Sequence, residues 1–286
     1  MAGPTSRFAT GDTGHRIHLV DWGGSGPPVL LLHGMGGNTH WWDPVAPMLA
    51  RWLRVIAMDL RGHGESDWTE PPRYSIADYG WDVEHARRAM GWDRFILAGH
   101  SLGARVALRY AASQRDRVES LALLDFLPEA RKGRAPKARS ETRHRQPSYI
   151  DRDATIRRFH LMPSATRAPR DLIERIARAS VRRLKNSRWS WKFDWRAYHP
   201  DCPPVWEEAA EIGAPCLVLR GEKSEVMPRA AFDRVVDVLG DCVGVEVPGA
   251  HHHVTLDAPT TVARHLLEFC RPPLPSRGAS APGGIF

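Results

Sequence analysis

The stretch Ile96-Leu97-Ala98-Gly99-His100-Ser101-Leu102-Gly103-Ala104 decides the fold. A strand-like run from Arg94 to Ala98 enters Gly-x-Ser-x-Gly and leaves it as a helical pattern over Leu102 to Ala112. Such a junction pushes the central serine outward on a strained turn, and glycines on either side remove the side chains that would clash as the backbone reverses. A serine hydroxyl is a poor nucleophile at neutral pH, so it needs a neighbouring base and donors facing the oxyanion that forms. Ser101 is therefore the candidate nucleophile. The plainer reading, a glycine-punctuated loop with a surface serine, does not account for the strand before it and the helix after it.

Working outward, the same alternation recurs on both sides. Arg16 to Trp22 reads as an early antiparallel strand, and Val29-Leu30-Leu31-Leu32 as a buried parallel strand that ends in His33-Gly34-Met35-Gly36-Gly37. Asn38 caps an expected helix over Trp41 to Ala50, and a glycine-rich turn between strand and helix exposes backbone N–H groups where an oxyanion could be held. Leu53 to Met58 is a further strand. The polar loop Asp59 to Ser66 follows it, with Asp59 and Arg61 read as an internal ion pair. Tyr74 to Met90 reads as a helix capped by Ser75, and Leu121 to Leu124 as a strand with Asp125 at its end. After a long interruption, Pro215 to Gly221, Ala230 to Leu239 and Val243 to Val247 continue as strand, helix and strand, with a last helix to Phe269. Strands alternating with helices predict an α/β fold built on a mostly parallel sheet with right-handed crossovers.

The interruption differs in kind from its surroundings. Of the net charge of +7, residues 128–205 carry +12, with 20 Lys and Arg against 8 Asp and Glu, so the remainder carries −5. Patches at Ala154 to Leu161 and Arg170 to Lys185 read as helices, and the segment closes on Trp189-Ser190-Trp191-Lys192-Phe193-Asp194-Trp195. This predicts a basic helical cap (128–205) over a core made of 1–127 and 206–270. The tail 271–286, rich in Pro, Gly and Ser, is expected to be disordered. No run of about 18 apolar residues occurs, which excludes a membrane-spanning helix and suggests a cytoplasmic protein. Cys202, Cys216, Cys242 and Cys270 are too widely spaced for a C-x-x-C site, and Cys216 reads as a small buried hydrophobe.

Four motifs stand in order at strand ends: His33-Gly34, Asp59-x-Arg61-Gly62-x-Gly64-x-Ser66, Gly99-x-Ser101-x-Gly103, and Gly249-Ala250-x-His252 with Asp257 and Pro259 downstream. Over residues 14 to 270 the chain resembles the α/β-hydrolase superfamily, in the group whose helical cap is inserted after the sixth of eight strands. The resemblance implies that Ser101 attacks a carbonyl carbon and that His252, selected among His251-His252-His253 by counting back from Asp257, moves its proton. It places the triad acid just after the strand 215–221, where Glu225 is favoured, with Asp125 as the alternative. The backbone N–H groups of Met35 and Leu102 are the implied oxyanion hole, and Trp42, Phe126, Trp191 and His253 the candidate pocket. No cofactor is implied. A metal on the three consecutive histidines is disfavoured, because adjacent residues rarely point at one ion.

A serine at position 101, where dehalogenases and epoxide hydrolases of this fold use aspartate, argues for hydrolysis of a small-molecule ester, lactone or thioester through an acyl-enzyme. Carbon–carbon bond hydrolysis with the same triad and a non-hydrolytic ligand receptor are the alternatives. The basic cap suggests that an anionic substrate is steered to the cleft. Nucleic acid is disfavoured for want of a recognised binding motif. A monomer or homodimer is expected.

Overall fold

The computed structural model describes residues 3–129, 146–198 and 202–270. Eight strands form one sheet: β1 (Thr5–Thr10), β2 (Arg16–Gly23), β3 (Pro28–Leu32), β4 (Arg54–Met58), β5 (Phe95–His100), β6 (Val118–Leu124), then β9 (Cys216–Gly221) and β10 (Cys242–Val247). Strands β7 (Val181–Arg183) and β8 (Trp189–Trp191) make a separate hairpin within the basic insertion. The order across the large sheet is β1-β2-β4-β3-β5-β6-β9-β10. Pairing is antiparallel from β1 to β2 and from β2 to β4, and parallel from there to β10.

The continuous apolar runs are explained by burial on both faces. Leu30, Leu32, Ile56, Met58, Leu97 and Leu123 point to one face, where α2 (Ile76–Ala89), α3 (Leu102–Ser113) and α7 (Arg229–Leu239) pack. Their alternating neighbours Val29, Leu31, Val55, Ala57, Ile96 and Leu124 point to the other, covered by α1 (Ala46–Leu49) and α9 (Pro259–Cys270). The two-residue period thus sends each strand's side chains into two cores at once. Between β8 and β9 a short helix α6 (Trp206–Ala210) returns the chain to the body. A last short helix, α8 (Val254–Asp257), follows the histidine loop. No helix among the described residues is long and apolar enough to cross a membrane.

Two local expectations are corrected, and one strand is added. The helix expected over 41–50 is split into a 3-10 turn at Thr39–Trp42 and the four-residue α1, because Asp43-Pro44 interrupts it. The polar N-terminus contains β1, an edge strand whose burial is confined to Ala9, so it carries no apolar alternation to read. The helix expected over 170–185 stops at Ala179 as α5 (Arg170–Ala179), and Val181 to Arg183 turns into the hairpin against Trp189 to Trp191. The other helix of the insertion, α4, spans Arg152–Arg157. Of the insertion, 130–145 and 199–201 lie outside the described residues, as does the tail 271–286.

The Asp59–Arg61 pair is not formed. Asp59 instead accepts from His18 Nδ1 (2.8 Å) and from the N–H groups of Thr39 and Glu65, while the fully buried Arg61 forks onto Asp82 at 2.6 Å on α2. Two residues apart on a sharp turn, the side chains diverge, and each meets a partner far away in the chain.

Candidate active site

Ser101 sits at the turn between β5 and α3 with φ +55° and ψ −113°, a left-handed conformation that a non-glycine residue adopts only under strain. The close approach that holds the turn needs small neighbours. A Cβ on Gly99 would lie 2.2 Å from the Gly103 carbonyl oxygen, and one on Gly103 would lie 2.6 Å from that of Leu32. The serine is half-buried and reachable, at the carboxyl end of a central strand and the N-terminus of an α-helix.

His252 lies on the loop between β10 and α8, buried to 3% exposure. Its Nε2 is 3.0 Å from Ser101 Oγ, and its Nδ1 is 2.8 Å from Asp125 Oδ1. Asp125, one residue past β6, is fully buried and adopts φ +39°. Its Oδ1 also accepts from Ser224 Oγ at 2.6 Å, and its Oδ2 accepts from the Gly221 N–H at 2.7 Å. With Asp125 accepting at Nδ1, the imidazole presents its Nε2 lone pair to the serine hydroxyl. Burial holds His252 well below the ordinary imidazole range, at about 3, so the ring is neutral and able to take a proton. Burial also pushes the Asp125 carboxyl up to about 6, against the hydrogen bonds from Ser224 and Gly221.

The carboxylate expected beside His252 is thus corrected in position: Asp125, and not Glu225, meets the imidazole. The loop after β9 turns Ser224 inward, onto Asp125, and Glu225 outward into solvent. Sequence reasoning missed Ser224 and the Gly221 N–H as partners of the Asp125 carboxylate. The available signal was that this loop offers a serine one residue before the glutamate, with the carboxylate supplied from β6.

The candidate oxyanion donors lie beside the serine. A Cβ on Gly34 would come within 3.1 Å of Ser101 Cβ, so the residue after it, Met35, begins where the nucleophile ends. Among the described residues, neither the Met35 N–H nor the Leu102 N–H has a hydrogen-bond acceptor. His33 steadies this turn: its Nδ1 donates to the Gly34 carbonyl at 2.7 Å and its Nε2 accepts from the Leu60 N–H at 3.1 Å.

Of the four expected pocket residues, two are core. Trp42 is fully buried in the cluster with Val29, Leu31 and Leu49, and Phe126 in the one with Leu121 and Leu123. Trp191 does line a cavity between the insertion and the Gly36 turn, walled by Phe159, Phe193 and Trp195 and reached by Arg158 and Lys192. Lys192 is engaged with Glu65 at 2.5 Å, whereas Arg158 stacks on Tyr149 and has no carboxylate among the described residues. His253 is buried beside His252 and donates from Nε2 to the Pro163 carbonyl.

A fold with a strained serine elbow, a histidine from the last loop and an acid from a strand end defines a class of nucleophile-bearing α/β proteins. The model of the alpha/beta hydrolase fold matches residues 27–259, and the chain belongs to the α/β-hydrolase family. It is 30% identical over 273 residues to an esterase of Mycobacterium tuberculosis, covering 91% of this chain and 87% of that protein. It is likewise 30% identical over 253 residues to 2-(acetamidomethylene)succinate hydrolase of Mesorhizobium japonicum, covering 86% and 88%. A crystal structure of E-2-(acetamidomethylene)succinate hydrolase superposes with a TM-score of 0.78 at 27% identity, over 93% of this chain and 98% of the other.

Proposed function

We propose that this chain is a serine hydrolase that cleaves a carboxylic ester, thioester or lactone of a small molecule through an acyl-enzyme on Ser101. The observation that carries the reading is the unbroken relay from Ser101 Oγ through both nitrogens of His252 to Asp125. Ser101 Oγ attacks the carbonyl carbon while His252 Nε2 takes its proton, and Asp125 stabilises the imidazolium that forms. The tetrahedral oxyanion is held by the Met35 and Leu102 N–H groups at the positive end of α3. Collapse expels the alkoxide or thiolate, which takes the proton from His252. Water deprotonated by the same nitrogen then attacks the acyl carbon and releases the acid and the free serine.

The insertion, in this reading, is a lid whose aromatic wall holds the apolar part of the substrate. Arg158, lacking a carboxylate partner among the described residues, receives an anionic group on it. Two relatives support this: one is named an esterase, and the other is named for a succinate, which is a dianion.

The test is a panel of p-nitrophenyl esters of rising chain length, with lactones and thioesters, assayed with native protein and with Ser101→Ala. The native chain should turn over at least one class, and Ser101→Ala should lose at least about a thousandfold in kcat. Turnover that survives the substitution, or ligand binding with no turnover of any member, would replace this reading with a receptor or a different chemistry.

A further inference from the structure

The loop that carries His252 is tied to the insertion through one side chain. Asp257, at the end of α8, divides its two carboxylate oxygens between two parts of the chain. Its Oδ2 accepts from the His251 N–H at 2.8 Å, within the histidine loop. Its Oδ1 accepts from Thr166 Oγ1 at 2.5 Å and from the Arg167 N–H at 2.9 Å, both in the insertion. His251 immediately precedes His252, so the first of these bonds fixes the backbone on which the imidazole is mounted. An ionised carboxylate can serve all three donors because both of its oxygens accept and neither donates.

Three further contacts run along the same seam. His253 Nε2 donates to the Pro163 carbonyl at 2.8 Å. A Cβ on Gly249, which has φ +68°, would lie 2.2 Å from Arg167 Nη1, so that guanidinium rests directly on the loop. Leu256, beside Asp257, is buried in a cluster with Leu161, Leu172 and Ile176 of the insertion. The insertion is thus both bonded and packed against the loop that places the imidazole. Transfer of a proton from Ser101 Oγ to His252 Nε2 depends on the 3.0 Å between them, and a misplacement of about 1 Å costs on the order of a hundredfold in rate.

We propose that Asp257 is a positioning residue through which the seating of the insertion sets the place of His252 against Ser101. It touches none of the reacting atoms and acts only through the His251 amide on one side and Thr166 and Arg167 on the other. Its effect on turnover rests on the serine mechanism proposed above. Its effect on the imidazole does not, and the two are read separately.

The probe is the His252 Nδ1 proton of the full-length chain, which its bond to Asp125 moves to low field in the proton NMR spectrum and which His252→Gln identifies by its loss. Asp257→Asn exchanges one acceptor oxygen for an N–H2, which must then face a backbone N–H on one side of the tie or the other. Thr166→Val removes the insertion's hydroxyl, which also accepts from the Ala168 N–H, and keeps the test in hand should Asp257→Asn not fold. In both variants, at a temperature where circular dichroism shows the chain folded, the His252 resonance should shift or broaden. For a p-nitrophenyl ester, kcat should fall about tenfold or more in Asp257→Asn and about threefold or more in Thr166→Val, with KM within about twofold. Thr166→Ser, which keeps the hydroxyl, should restore both readouts. Variants that melt earlier but keep the native resonance and kcat overturn the positioning role and leave Asp257 as a structural tie. A displaced resonance with unaltered ester turnover overturns the coupling to catalysis. A displaced resonance in a chain that hydrolyses no ester supports the placing of the imidazole by Asp257 while removing the serine mechanism.

Discussion

At the scale of single residues, the most informative contrast is between two carboxylates. Asp125 is fully buried and bonded to His252, while Glu225 is exposed one residue beyond the serine that hydrogen-bonds Asp125. Asp125→Asn should therefore lower kcat by roughly three to four orders of magnitude with little change in KM, and Glu225→Gln should leave kcat within about twofold. Steady-state kinetics of the two variants on one ester decides it, and the opposite ranking would return the acid to Glu225. The pH dependence follows from the same carboxyl. Burial raises it to about 6, and its ionised form is the one that holds and charges the imidazole. As pH falls through about 6 the carboxyl takes up a proton and kcat/KM should fall about tenfold per unit, with a level region above. A profile that stays level to about pH 4 would contradict the buried carboxylate as the controlling group.

At the scale of elements, the helices that carry the site are tied together by buried charge as well as by apolar packing. Glu84 on α2 accepts from Arg87 and Arg88 on its own helix and from Tyr110 Oη on α3 at 2.8 Å. The Arg87 hydrogen bond, helped by Tyr110 and Arg88 and opposed by burial, draws the Glu84 carboxyl down to about 2. A carboxylate held below its ordinary value stabilises the fold fully above about pH 4.5, and that contribution is lost as pH falls toward 2. Glu84→Gln should cost about 2 kcal/mol in urea unfolding at pH 7, with the gap to the native chain narrowing below about pH 4. Element-level reading from sequence succeeded where burial is two-sided or a cap is explicit. Examples are Val29 to Leu32, and α2 with Ser75 and Asp78 capping each other. It overran at Lys185, because Val181 to Arg183 is a strand only by virtue of pairing with residues 189–191. It passed over β1, whose strand state depends on the edge of β2.

At the scale of the whole molecule, charge is divided between the body and the insertion, and the cavity lies where the two meet. The segment 128–205 carries +12 against −5 for the rest. Arg158 reaches into the cavity from the basic side. If this field guides substrate, kcat/KM for an ester with a free carboxylate should fall with added salt more steeply than for a neutral ester of the same length, since exposed charges are screened within about 10 Å at 0.1 M. Arg158→Ala should raise KM for the charged ester alone. Equal salt slopes for the two substrates would leave the basic insertion without a part in recognition.

What the sequence by itself determined is the sheet, the serine elbow and which of the three adjacent histidines faces Ser101. Each is written in short-range pattern: apolar runs of strand length, glycines flanking Ser101, and the five-residue count from His252 to Asp257. Tertiary structure alone decided which carboxylate meets His252, the true partners of Asp59 and Arg61, and which tryptophans are core. Those outcomes depend on which side chains meet across 21 to 127 residues of chain. A side chain's direction at a strand end is set by the turn and its distant partner, not by the residues next to it.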